Sequence, residues 1–158
     1  MSRSHSIFVS RAKTPQERDA CFSIRFAVFC DEQKFNADTE IDEYDDKAIQ
    51  LLASQNGKPV GTARVLVNDG GQTLKIGRVA VLKQMRGSGI GQALMLAVED
   101  LPEANNAAKF ELSSQIQAIP FYERVGYAVE GDEYIEDGAP HCFMIKKNPH
   151  HKARKQAV

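Results

Sequence analysis

Residues 86–91 read Arg86-Gly87-Ser88-Gly89-Ile90-Gly91, with three glycines at alternate positions between a β-prone run and a segment of helical periodicity. Glycine leaves backbone N–H groups unobstructed. Several amides can therefore converge on one phosphate while the helix N-terminus adds partial positive charge. Arg86 can place a full charge beside them, where a diphosphate gains charge-assisted hydrogen bonds. The chemistry this turn suits is the holding of a phosphorylated ligand. The same physics serves mononucleotide and dinucleotide binders, and context separates them. A dinucleotide fingerprint normally falls in the first βα unit of a parallel sheet, whereas this turn lies in the second half of the chain after an antiparallel meander. A P-loop would end in Gly-Lys-Ser/Thr, and here Gly91 is followed by Gln92 and Ala93.

The elements that must position the turn follow from pattern. Residues 7–10 form a short β-prone run. Thr14-Pro15-Gln16-Glu17 then supplies a capping hydroxyl, a proline suited to a first turn and a glutamate at the capping-box position. A helix is predicted to start there and to run to about Asp31, with Cys21, Ile24 and Val28 at helical spacing and Phe22, Phe26 and Phe29 widening the apolar face. Residues 31–47 carry eight acidic side chains against Lys34 and Lys47, which predicts a long loop. Residues 48–53 and 59–67 are β-rich and are separated by Asn56-Gly57, a strong hairpin signal. A third strand is predicted over 73–82. From Ile90 the period changes: Ile90, Leu94, Ala97, Val98 and Leu101 share one face of a helix that Pro102 ends. A strand over 110–113, a helix over 116–125 stopped by Gly126, and strands over 127–130 and 141–147 complete the series. This order predicts an α+β (mixed α/β) fold around one sheet.

Composition narrows the function. A chain of 158 residues with 42% hydrophobic content fits one domain, predicted over residues 1–148, with a basic, solvated tail over 149–158. The formal net charge of -1 excludes a uniformly basic nucleic-acid binder, and no nucleic-acid partner is expected. No run approaches the ~20 apolar residues of a membrane span, and residues 1–6 lack the apolar run of a secretory signal, so a cytoplasmic protein without a membrane partner is expected. Cys21, Cys30 and Cys142 form no Cys-x-x-Cys pair. Neither a disulfide framework nor a metal site is indicated, and buried thiols are expected at Cys21 and Cys142.

On these residues the sequence resembles the GNAT superfamily of N-acetyltransferases, whose signature Arg/Gln-x-x-Gly-x-Gly/Ala follows the fourth strand. Arg86, Gly89 and Gly91 match it in register. Ala118, Phe121, Tyr122, Gly126 and Tyr127 resemble a second family signature, A-x-x-F-Y-x-x-x-G-F/Y. The resemblance covers nearly the whole chain and implies the GNAT-like acyl-CoA N-acyltransferase fold, a central mostly antiparallel sheet flanked by helices. Within the superfamily the chain is most similar to the small bacterial ElaA/YjcF type, on Arg25, Val28-Phe29, Glu32-Gln33, the Glu40-x-Asp42-x-x-Asp45 run, residues 59–64 and residues 136–141. One departure is Gln50, where such sequences often carry a histidine.

The resemblance implies roles. Acetyl-CoA would be the co-substrate, its diphosphate held by Arg86, Gly87, Ser88, Gly89, Ile90 and Gly91, and its pantetheine arm paired with the backbone of Val79, Ala80 and Val81. Gln115 and Ala118 would touch the same arm. Tyr122 would be the general acid for the departing thiolate. The base is open among Glu40, Asp42, Glu43, Glu136, Asp137 and His141, with His141 chosen because a histidine titrates near neutral pH. Arg25, Glu32, Glu40 and Asp42 are candidate contacts to the acceptor, with Arg25 equally able to hold the acidic loop through its carboxylates or to bind an acidic substrate group; the acidic loop can attract a cation, although charged loops are usually only solvated. A non-catalytic acyl-CoA-binding module and an acyl-homoserine-lactone-synthase-like acyltransferase are the rivals. The latter usually carries an N-terminal tryptophan, and this chain has none. Family members often dimerise, which leaves a homodimer open.

Overall fold

The computed structural model describes residues 6–151; residues 1–5 and most of the basic tail, 152–158, lie outside the described residues. Strand β1 (Ile7–Arg11) leads into helix α1 (Pro15–Arg25). Thr14 Oγ1 accepts from the Glu17 amide and Glu17 Oε1 accepts from the Thr14 amide, both at 3.1 Å. This is the reciprocal capping box that the spacing predicts. After Arg25 the helix widens into a π-helical segment, Phe26–Glu32, and the Gln33 amide donates to the Val28 carbonyl at 3.0 Å. Apolar residues fill every position from 26 to 29, so their pattern does not select between α and π spacing.

The chain divides into two compact units, one made of Met1–Leu66 and Gly77–Val98, the other of Val67–Ile76 and Glu99–Val158. In the first, β1 pairs antiparallel with β2 (Ile49–Gln55), and β2 with β3 (Lys58–Asn68), which neighbours β4 (Thr73–Val81). Asn56 and Gly57 join β2 to β3 at φ 54° and 77°, the doubly left-handed turn whose twist suits a two-residue hairpin. Helix α2 (Ile90–Glu99) buries Ile90, Leu94, Met95 and Val98. It approaches β3 so closely that a Cβ on Gly61 would lie 2.9 Å from Ile90 Cγ2 and 3.2 Å from Leu94 Cδ1, so the site admits only glycine without a shift. A second packing focus joins Cys21, Ile24 and Val28 to Leu52 and Ala80.

In the other unit, residues 73–76 of β4 pair parallel with β5 (Lys109–Gln115), from Thr73 opposite Lys109 to Ile76 opposite Leu112. Strand β5 pairs antiparallel along its length with β8 (Ala139–Lys147). Helix α3 (Ile119–Arg124) follows a 3-10 turn over Ile116–Ala118, so the predicted 116–125 helix is split. Strands β6 (Ala128–Val129) and β7 (Tyr134–Glu136) both pair with β8. β7 was not foreseen, because its three residues are all exposed and show no alternation to read. Phe110, Leu112, Tyr127 and Met144 are among the buried side chains here. No helix among the described residues is long and apolar enough to cross a membrane.

Candidate active site

The glycine turn is built by its backbone. Gly87 and Gly89 have φ of +83° and +88°, a left-handed region that costs other residues about 1–2 kcal/mol. A Cβ at Gly87 would meet nothing within 4 Å, and one at Gly89 only Ile7 Cδ1 at 4.0 Å. The glycines therefore answer to conformation and leave open space above the turn. The helix begins with the Ala93 amide donating to the Gly89 carbonyl at 3.0 Å, and fully buried Ile90 anchors its first turn. The amides of Gly87, Ser88 and Gly89 donate to no other backbone group among the described residues. Ser88 Oγ donates to the Met85 carbonyl at 2.5 Å. The arrangement offers a cluster of N–H groups at a helix N-terminus, which fits a diphosphate.

Arg86 does not hang free beside this turn. Its Nε donates to the Val81 carbonyl at 3.0 Å, and its two terminal nitrogens reach Glu32 at 2.5 and 2.6 Å. The hydrogen bond from Arg86 lowers the Glu32 carboxyl below its ordinary pKa and raises the guanidinium in return. In β4, Ala80 is buried, while Val79 and Val81 are half-buried. Within the same strand Arg78 takes a left-handed conformation, at φ +50°. Its guanidinium holds this conformation through the Glu40 carbonyl at 3.1 Å and Glu40 Oε2 at 2.8 Å.

The acidic loop is tied down by arginines. Fully buried Arg25 donates to Asp45 Oδ1 at 2.7 Å and Oδ2 at 3.1 Å, to Glu40 Oε2 at 3.1 Å and to the Glu40 carbonyl at 2.7 Å. Arg64 reaches Asp42 at 2.7 Å and Asp45 at 3.2 Å, and Arg78 approaches Asp42 at 3.4 Å. Burial pushes the Asp45 carboxyl up, but hydrogen bonds from Arg25 and the Asp42 amide, with the nearby arginine charges, more than reverse this and hold it well below the carboxylate range. Gln50 is buried, with Nε2 donating to Asp45 Oδ1 at 3.0 Å. Of the expected acceptor contacts, Arg25 and Glu40 are thus spent inside this network, Asp42 at its half-buried edge and Glu32 on Arg86. Sequence reasoning did not find Asp45 and Arg64 as partners, because a strand and a loop carry no local signal of their pairing.

In the C-terminal unit, Tyr122 packs edge-on against Phe121 at 5.0 Å and Tyr127 at 6.1 Å between ring centroids. Burial pushes its phenol pKa up, so the hydroxyl stays protonated at neutral pH and can only donate or accept as a neutral group. Gln115 ends β5 opposite His141 and accepts from Gln117 at 2.5 Å; Ala118 closes the 3-10 turn before α3. His141 is buried at the start of β8. Its Nδ1–H donates to the Ala139 carbonyl at 2.8 Å, so that in the neutral ring the lone pair would sit on Nε2, 3.8 Å from Glu136 Oε2. The Tyr134 ring stacks on the imidazole at 6.3 Å and 21°. Cys21 and Cys142 are buried. No group of three or more His, Cys, Asp or Glu residues suited to a metal occurs among the described residues.

A mixed α/β fold with a central, mostly antiparallel sheet and a glycine turn opening a helix after β4 is the GNAT acyltransferase fold, which binds acyl-CoA. The chain belongs to the GNAT acetyltransferase family: the sequence profile of the acetyltransferase (GNAT) domain matches residues 13–148. It is 36% identical over 136 residues to the uncharacterized N-acetyltransferase YjcF of Bacillus subtilis, covering 85% of this chain and 96% of the relative. The crystal structure of Escherichia coli ElaA superposes with a TM-score of 0.77 at 28% identity, covering 90% of this chain and all of that one. That of an acyl-CoA N-acyltransferase from Pseudomonas aeruginosa gives 0.74 at 29% identity, covering 90% and 99%.

Proposed function

We propose that this protein transfers the acetyl group of acetyl-CoA to a primary amine by direct attack within a ternary complex. The observation that carries the reading is the turn at residues 86–91: left-handed glycines, open space above them and unengaged amides, in register with the family motif. Gly87, Ser88, Gly89, Ile90 and Gly91 would present backbone N–H groups to the diphosphate, and Arg86 would add charge. Val79, Ala80 and Val81 offer main chain to the pantetheine arm, with the Val81 carbonyl already accepting from Arg86. A fold neighbour at 16% identity, an aminoglycoside 6'-N-acetyltransferase, was solved in complex with coenzyme A, in keeping with this use of the fold.

In the reaction the amine lone pair forms a C–N bond to the thioester carbonyl carbon, and the C–S bond breaks. Tyr122, a buried neutral phenol, donates to the sulfur as it leaves. His141, with Nε2 available, takes the proton that the attacking amine must lose. Because burial raises the phenol above its ordinary acidity range, hydrogen bonding to the developing thiolate is its main contribution, rather than full proton transfer. Residues of both compact units are matched by one family profile over 13–148, which supports reading them as one catalytic domain.

The test is release of free CoA thiol from acetyl-CoA across polyamines, amino sugars, aminoglycosides, amino acids and peptide N-termini. At least one amine is expected to raise thiol release above background. Acetyl-CoA that binds without turnover for any amine would leave only a binding module.

A further inference from the structure

Among the described residues, Glu32, Glu40, Asp42 and Asp45 each face an arginine, and Glu99 faces Lys146. Glu136 differs. Its side chain is 46% exposed, and the one ion-pair partner it has among the described residues is His141 Nε2 at 3.8 Å. Glu136 Oε2 accepts from Ser113 Oγ at 2.5 Å, and Ser113 Oγ also bonds the Tyr134 hydroxyl. The Tyr134 ring lies stacked on His141. Ser113 is the first residue of β5 beyond its parallel ladder with β4, which covers residues 109–112. Three elements, β5, β7 and β8, thus bring together a carboxylate, two hydroxyl oxygens, an imidazole nitrogen and an aromatic face.

Such a set matches one kind of ligand. A primary ammonium carries three N–H donors and a positive charge, while carboxylate, hydroxyl and neutral imidazole offer acceptors, and a tyrosine face adds cation–π attraction. Among the described residues no guanidinium pairs with Glu136, so its charge is left to attract a cation, with the screening that a half-exposed site brings. A carboxylate next to the reacting nitrogen would meet Glu136 with like charge, and no arginine among the described residues is paired with this cluster to receive it.

We propose that Ser113, Tyr134, Glu136 and His141 form the acceptor site, and that the acceptor is a small cationic primary amine with no carboxylate beside the reacting nitrogen. This rests on the acetyltransferase reading above. Glu136 holds the ammonium beside Tyr134, and the ammonium gives one proton to His141 Nε2. The freed lone pair forms the C–N bond, the C–S electron pair leaves with the CoA sulfur, and that sulfur gains a proton as the nitrogen loses its second. One amide, one CoA thiol and one net proton result.

The experiment is calorimetric titration of the full chain with 1,5-diaminopentane, spermidine, leucine and serine, alongside acetyl-CoA. At least one of the two polyamines is expected to bind at up to about 10 mM and the α-amino acids more weakly; Glu136→Gln and Tyr134→Ala should each weaken the polyamine at least about tenfold while acetyl-CoA affinity changes less than about twofold. Absence of polyamine binding, equal binding in Glu136→Gln, or tighter binding of leucine or serine overturns the proposal. Glu136 is exposed and Gln is nearly isosteric, so the variant keeps the fold; a lowered melting temperature with unchanged amine binding would mark the cluster as a mere fastening of the β7–β8 hairpin and also overturn it. Because the titration reads binding without turnover, its failure is distinguishable from failure of the acetyltransferase reading, which thiol release tests.

Discussion

Arg86 is held by Glu32, and in the proposed reading a diphosphate would compete with that carboxylate for the same guanidinium. Removing the carboxylate frees the fork and lowers the negative charge beside the turn. Glu32→Gln is therefore expected to tighten acetyl-CoA binding about three- to tenfold, most clearly at low ionic strength, as read by calorimetry. Weaker binding in that variant would mean that Glu32 holds Arg86 in a productive pose instead. In the proposed reaction Tyr122 would act at the thioester end of the same co-substrate. Its hydroxyl is the only part that Tyr122→Phe removes, so packing against Phe121 and Tyr127 persists. The expected result is a fall in kcat of about 10²-fold with little change in the KM for acetyl-CoA, measured by thiol release.

The acidic loop is better understood as an element than as a set of charges. Arg25, at the end of α1, binds the loop at Glu40 and Asp45, and Glu40 in turn holds the left-handed Arg78 of β4. Helix, loop and strand are clamped through buried ions, where removal of one partner strands the other. Arg25→Met should cost about 3–5 kcal/mol in urea unfolding. The same clamp sets an acid limit. Asp45 has its folded pKa held below its unfolded value, so its contribution is complete above the unfolded carboxylate pKa of about 4 and is lost as pH falls toward the folded one. Urea midpoints measured from pH 6 downward, to about pH 2.5, should therefore fall more steeply for the natural protein than for Asp45→Asn, whose stability starts lower and has less to lose. Parallel slopes would contradict the clamp.

At the scale of the molecule, ligand binding to the folded state should appear as stability. Acetyl-CoA at 100 times its dissociation constant adds about 2.7 kcal/mol, which for a chain of this size raises the melting temperature by about 5–11 °C. Gly89→Glu places bulk and negative charge at a left-handed residue facing open space. It should abolish that shift. A full shift in Gly89→Glu would remove the phosphate assignment from the turn.

What the chain decided locally was readable without coordinates. The Thr14–Glu17 capping box, the Asn56-Gly57 hairpin, the buried face of α2 and the glycine turn all depend on residues one to four positions apart, where covalent geometry fixes what can meet. Tertiary structure decided which charges are spent and which remain: Arg86 meets Glu32 across 54 positions, Arg25 meets Asp45 across 20, and Ser113 meets Glu136 across 23. Those pairings separate the arginine-bound carboxylates of the acidic loop from Glu136, though all look alike as letters. The left-handed conformation of Arg78 likewise goes with a contact across 38 positions, to Glu40. Local propensity acts through neighbours in sequence, whereas burial and ion pairing act through neighbours in space, and only the folded chain fixes those.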